Sequence, residues 1–144
     1  MRASVNRNTI ITSSLVAVLI LAVCATVLIV VLPQPGEPFT ELYLLGPNGK
    51  ASDYPTNLTV NQTGNVTVGV VNHENANANY TLRVTLANKT ISAQSFRLAN
   101  NQTWERSLSF TPHQRGMGQK LEFALYKNYG KQAYRSVYLY LTVT

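Results

Sequence analysis

Apolar and polar residues follow two different rhythms along this chain, and the change comes near Pro33. From Ile10 to Leu32 the sequence IITSSLVAVLILAVCATVLIVVL runs 23 residues without a charge. As a helix this stretch reaches about 35 Å, enough to cross a hydrocarbon core of about 30 Å. Its β-branched richness does not argue for a strand, because in lipid a lone segment must satisfy every N–H and C=O within itself. Thr12, Ser13, Ser14 and Thr26 fit such a helix by bonding back to its carbonyls. Pro33, Pro35 and Pro38 then end it.

Beyond that point the period is two. Val66, Val68 and Val70 alternate with Thr67 and Gly69, and Tyr80, Leu82, Val84 and Leu86 with Thr81, Arg83 and Thr85. Leu121, Phe123 and Leu125 alternate with Glu122, Ala124 and Tyr126, and Val137, Leu139, Leu141 and Val143 with Tyr138, Tyr140 and Thr142. These are strands with one face inward. Turn signals at 46–49, 61–64, 72–79, 87–89, 99–101, 111–118 and 128–131 divide the remainder into seven or eight short strands. The pattern predicts a mainly β fold, an antiparallel sandwich of Ig-like or fibronectin-like architecture. Trp104, the one indole, belongs in that core or at its rim. The chain thus reads as a tip (1–9), an anchor helix (10–32), a proline-rich stalk PQPGEP (33–38) and a β-sandwich domain (39–144).

Charge gives the anchor a direction. Arg2 and Arg7 precede the apolar stretch with no acid among residues 1–9, so the tip is expected in the cytoplasm and the β-domain outside the cell membrane. A cleaved signal peptide is the competing reading, but its apolar core runs to about 7–15 residues and ends at a small-x-small site, which is not evident here. A lipoprotein site at Leu21-Ala22-Val23-Cys24 fits poorly, with bulky Val23 beside the cysteine. Cys24 is the only thiol, which excludes an internal disulfide framework, a cysteine zinc cluster and a CxxC redox pair.

Six Asn-x-Thr sequons fall in the β-domain, at Asn57, Asn61, Asn65, Asn79, Asn88 and Asn101. Residues i and i+2 share a strand face, so Asn79 and Thr81 point outward while Tyr80 points in, and the same holds about Leu58 and Val66. Such a surface is suited to N-linked glycans, which would solvate a face poor in charge and shield strand edges. The plainer alternative is that Asn and Thr are simply the polar residues this surface uses.

Catalytic chemistry has little to work with. Two histidines, His73 and His113, and six acids, Glu37, Glu41, Asp53, Glu74, Glu105 and Glu122, show no motif spacing, and GxSxG, HExxH and Walker-type loops are absent. An enzyme is not expected, nor a cofactor or metal, and His73-Glu74 reads as a solvated turn. The net charge of +6 includes the two arginines of the tip and leaves no basic cluster for nucleic acid. One segment mixes rings with cations: Tyr126, Lys127, Tyr129, Lys131, Tyr134 and Arg135 join two predicted strands. Aromatic faces stack on flat ligands and cations neutralise anions, so these six are the candidate contacts for a sugar, a phosphate, a headgroup or a partner protein. A structural role for the same residues, as a hairpin with lysines that discourage edge pairing, is the simpler account.

The run from Glu37 to Ala51, then Asp53-Tyr-Pro, Asn57-Leu-Thr-Val and Gly69-Val-Val-Asn-His-Glu, resembles the archaeal membrane-protein family called domain of unknown function 1616. Trp104-Glu, Phe110-Thr-Pro, Gln119-Lys-Leu-Glu-Phe-Ala-Leu-Tyr-Lys and Tyr134-Arg-Ser continue the likeness in order. The resemblance implies an archaeal envelope protein with an outward β-rich domain, and it brings no activity and no catalytic residues. The expected role is structural or adhesive, with a glycan-bearing domain that meets another envelope or membrane protein. Two alternatives stand beside it. A pilin-like filament subunit would use Arg2-Ala3 as a processing site, although Ser4 to Asn8 are polar where a pilin's apolar helix begins. An accessory subunit of a larger complex would pack its helix through Ala22, Ala25 and Thr26.

Overall fold

A computed structural model describes residues 6–32 and 36–144. The prepilin-like Arg2-Ala3, Arg2 of the charge argument, and Pro33 and Pro35 of the stalk lie outside the described residues. The chain divides between Gly36 and Glu37 into two compact units.

The first unit holds helix α1, Arg7–Val31. It begins before the charge-free stretch because Asn6, extended at φ −60°, caps it and accepts from the Asn8 N–H. The back-bonding expected of the hydroxyls is present: Thr12 Oγ1 donates to the Asn8 carbonyl and Thr26 Oγ1 to Ala22, both at 2.8 Å. Leu32 leaves the helix at ψ 121°, as expected of a residue before proline. None of the helical residues is buried. By length and composition α1 can cross a membrane, a property that a retained anchor and a signal sequence share.

The second unit is a sandwich of eight strands: β1 Phe39–Leu45, β2 Asn57–Leu58, β3 Gly64–His73, β4 Ala78–Leu86, β5 Lys89–Leu98, β6 Thr103–Phe110, β7 Gly116–Lys127 and β8 Arg135–Val143. One sheet has the order β1-β3-β6, the other β2-β8-β7-β4-β5. The pairings are antiparallel, as expected, apart from a two-residue parallel contact of β2 with β8. After β1 the chain crosses to the other sheet and lies along β8, where Thr142 N–H donates to Thr56 O and Thr144 N–H to Leu58 O. That contact covers part of the β8 edge, which would otherwise offer unpaired backbone groups.

The residues expected inward are inward. Val66, Val68 and Val70 from one sheet meet Tyr80, Leu82, Val84, Leu86, Leu121, Phe123, Leu125, Leu141 and Val143 from the other in one buried cluster. Each contributes about 1.5–3 kcal/mol on leaving water, so packing holds the domain without a disulfide. Trp104 closes the rim, stacked on Phe96 at 4.2 Å between ring centroids where β6 approaches β5.

Two expected boundaries move. Strand β3 runs on through His73, because Asn72 is fully buried and hydrogen-bonded, so the expected turn at 72–79 shrinks to 74–77. Strand β7 starts at Gly116 inside the expected 111–118 turn, with its register shifted by a bulge before Gln119 where Gly118 has φ +70°.

Gly69 is buried although its face alternates outward, because the Tyr43 ring of β1 lies across it and any Cβ would fall inside that ring. Tyr43 then donates to Glu105 Oε2 on β6 at 2.8 Å, spanning the small sheet. Gly69→Val is therefore expected to expel Tyr43 and lower unfolding stability by about 1–3 kcal/mol, read from urea denaturation.

Candidate functional site

Five of the six residues of the ring-and-cation segment separate into two groups, and Arg135 stands apart from both networks. Lys127, the last residue of β7, turns toward the other sheet, where its Nζ donates to Glu74 Oε2 at 2.9 Å and sits 4.0 Å from the Tyr134 ring centroid. Tyr134 donates its phenol to Glu74 Oε1 at 2.8 Å, and Thr40 of β1 donates to the same oxygen at 2.6 Å. Thr40 has one hydroxyl proton and gives it to Glu74, so the 2.8 Å contact with Tyr80 is donated by the tyrosine. Burial alone would raise the Glu74 pKa, but bonds from Thr40, Lys127 and Tyr134 and the lysine charge outweigh it and hold the carboxyl below its ordinary value. For Tyr80, burial pushes the phenol up. Glu74, expected in a solvated turn, is instead the hub that joins both sheets; its side chain is only 10% exposed.

Tyr126, Tyr129 and Lys131 belong to the second group. The Arg83 guanidinium lies 4.7 Å above the Tyr126 ring, and its Nη1 donates to the tyrosine hydroxyl at 3.2 Å. Around this pair Thr81, Arg83, Tyr126, Tyr129, Gly130 and Lys131 line an open groove of about 410 Å³. It shares Thr81 and Tyr129 with a smaller depression of about 180 Å³ that Asn79 and Ser95 also line. Arg135, exposed at the start of β8, lies 5.3 Å from the Tyr134 ring centroid and does not line the groove. Thr81 and Arg83 were not among the candidates. Their signal was present, since both alternate outward on β4, but only the register of Thr81 opposite Tyr126 brings them to the loop.

The loop presents Tyr129 under constraint. Gly130 N–H bonds to Lys127 O at 3.0 Å, closing a turn whose central residues, Asn128 and Tyr129, have φ of +50° and +62°. Asn128 is pinned to Asn79, its N–H on the carbonyl and its Oδ1 on the N–H. Asparagine tolerates the left-handed region, whereas a residue like tyrosine carries about 1–2 kcal/mol of strain there. Tyr129 recovers little of this by packing, since it is 85% exposed.

The sequon asparagines lie at or near the surface. Asn57, Asn61, Asn65, Asn88 and Asn101 are exposed, and Asn79 is half-buried at the rim of the smaller depression. Asn61, Asn88 and Asn101 sit in turns at φ +67°, +67° and +62°. The side chains of Asn61, Asn65 and Asn101 engage His113, Ser109 and His73 through Oδ1, not through Nδ2, the atom a glycan would occupy.

His73 sits on β3, stacked on Phe39 at 4.7 Å, with Nε2 3.1 Å from Glu41. Among the described residues no group of three or more His, Cys, Asp or Glu is placed to hold a metal ion.

Residues 33–142 match the family described as Domain of unknown function (DUF1616). The chain belongs to this family. No curated protein matches it. The DUF1616 chain is similar in fold to the CARDB domain of the PF1109 protein from Pyrococcus furiosus. A crystal structure of that domain in complex with di-metal ions aligns over 77% of this chain and 97% of the other, at 14% identity and a TM-score of 0.56. Its solution NMR structure aligns over 75% and 96%, at 16% identity and the same TM-score. At this identity the likeness establishes the Ig-like sandwich and nothing of its ligands.

Proposed function

We propose that this DUF1616 protein is a membrane-anchored, N-glycosylated cell-surface protein of an archaeal envelope, with a structural, adhesive or protein-interaction role. In this reading α1 is a retained span, the tip carrying Arg2 and Arg7 stays inside, and the sandwich stands outside. The observation that carries it is α1 itself, a helix of 25 residues with apolar side chains all round and none buried in protein. Such a helix needs lipid or a partner to cover it. The sandwich supports the same reading, with its apolar residues packed inward and its sequons at or near the surface. In this proposal the protein is neither an enzyme nor a nucleic-acid binder, and it meets another envelope or membrane protein.

Protease added to whole cells is expected to remove the sandwich domain. Protection in whole cells with loss in disrupted cells would overturn the topology. Deglycosylation of protein from native membranes is expected to lower its intact mass, and an unshifted mass would end the glycan part. N-terminal sequencing separates an intact start from processing before Ser4, the filament-subunit outcome.

A further inference from the structure

We propose that the groove between the Asn128–Tyr129 turn and β4 binds an acidic saccharide, with Tyr129 stacking on a sugar ring and Arg83 and Lys131 holding its anionic group. This deepens the surface-protein reading and rests on it only for where the ligand is met. The groove carries two cations and no acid among its lining residues. Arg83 is held in place by Tyr126, which fixes the guanidinium over the floor and leaves its remaining N–H donors for a carboxylate or sulfate. The Lys131 ammonium enters no ion pair and no hydrogen bond among the described residues.

Tyr129 decides between structure and ligand. A turn of this kind is easier to form with glycine or asparagine at that position. A strained, exposed ring beside a cationic groove is accounted for by something that packs on it. A saccharide fits the remaining surface: its C–H face stacks on an aromatic ring, and its hydroxyls suit Thr81 and Ser95, whose own hydroxyls meet at 2.9 Å and keep further bonding capacity, and Asn79 at the rim. A lipid surface fits less well, since the loop tip carries Asn, Tyr, Gly, Lys and Gln with no aliphatic wedge to insert.

The test uses full-length protein in detergent micelles, produced in a host without N-glycosylation. Calorimetry follows binding of an oligogalacturonide and a sulfated chondroitin oligosaccharide against a neutral maltooligosaccharide of equal length. At least one acidic probe is expected to bind about tenfold or more tightly than the neutral one, and to weaken as salt rises. Tyr129→Gly is expected to weaken that binding about tenfold while the denaturation midpoint stays or rises. Lys131→Ala is expected to reduce the preference for the acidic probe without moving the midpoint. The proposal is overturned if neither acidic probe binds, if acidic and neutral probes bind alike, or if Tyr129→Gly leaves affinity unchanged. Preference for phosphatidylglycerol vesicles over both acidic probes would overturn it too. Protein from native membranes then tells two sources apart: if a sugar on Asn79 already fills the groove, the added probe binds only in Asn79→Gln. Topology plays no part in micelles, so failure here leaves the anchored reading standing, and a reversed topology leaves the binding result standing.

Discussion

Asn72→Ala is expected to lower unfolding stability by about 3 kcal/mol and the melting temperature by about 15 °C, measured by denaturation and by calorimetry. Asn72 is fully buried near the end of β3. Its Nδ2 donates to Ala76 O at 2.8 Å and to Leu98 O at 3.0 Å, and its Oδ1 accepts from the Glu74 N–H at 2.9 Å. Its backbone also exchanges bonds with the β5–β6 turn, donating to Gln102 O and accepting from the Asn101 N–H. Truncation takes this partner from the Leu98 carbonyl in a buried site and from the Ala76 carbonyl and Glu74 amide in a part-buried one, which costs more than the net value of the bonds lost. Asn72→Asp sharpens the test. Its second oxygen would face two carbonyls as a buried anion, so at neutral pH it is expected to be worse than Ala. Part of that loss should return in acid, where the carboxyl can donate. Equal stability of the two variants at pH 7 would contradict the assigned bonds.

Replacing Glu74 produces the second large effect, with a pH signature. Glu74→Leu takes the shared carboxylate acceptor from Lys127, Thr40 and Tyr134 and is expected to cost about 2–3 kcal/mol, short of a fully buried pair because Lys127 is a quarter exposed. Glu74→Gln is expected to cost about half as much, since it keeps the shape and one acceptor oxygen but loses the charge. The carboxyl titrates below its ordinary 4.5 in the folded chain. As pH falls, the unfolded chain therefore takes up this proton first. The contribution of Glu74 is complete above about 4.5 and is lost as pH drops through the depressed folded value. Lys127 has the opposite dependence. Burial alone would lower its pKa, but the bond to Glu74 and that carboxylate's charge raise it above 10.5, so its contribution is complete below 10.5 and fades as pH climbs through the folded value. Wild-type stability should fall more steeply than that of Glu74→Gln on acidification below 4.5, and parallel curves would remove Glu74 from its assigned role.

Both residues lie in the Asn72-His73-Glu74 stretch that reads as a turn. A buried asparagine and a half-buried glutamate look like loop residues when the partners that draw them inward are distant: Leu98 is 26 positions from Asn72, and Thr40, Lys127 and Tyr134 are 34 to 60 positions from Glu74. The groove has the same character. Tyr126, Tyr129 and Lys131 stand out as a local mixture of rings and cations, but nothing local separates them from Lys127 and Tyr134, which serve the core network. Arg83 joins them only because β4 pairs with β7 in a particular register.

The sequence by itself determined the long apolar helix, the sandwich class and the inward faces of β3, β4, β7 and β8. Each of these depends on periodicity within one segment, and a period of two or a charge-free run of 23 residues is a local property. It also set the outward placement of Asn57, Asn65 and Thr81, by the same alternation. Tertiary structure decided the parallel contact of β2 with β8, the hub at Glu74, the burial of Asn72 and the division of the hairpin into anchors and groove. These depend on chain crossing and strand register, which bring together groups whose own neighbours in sequence carry no trace of the partner.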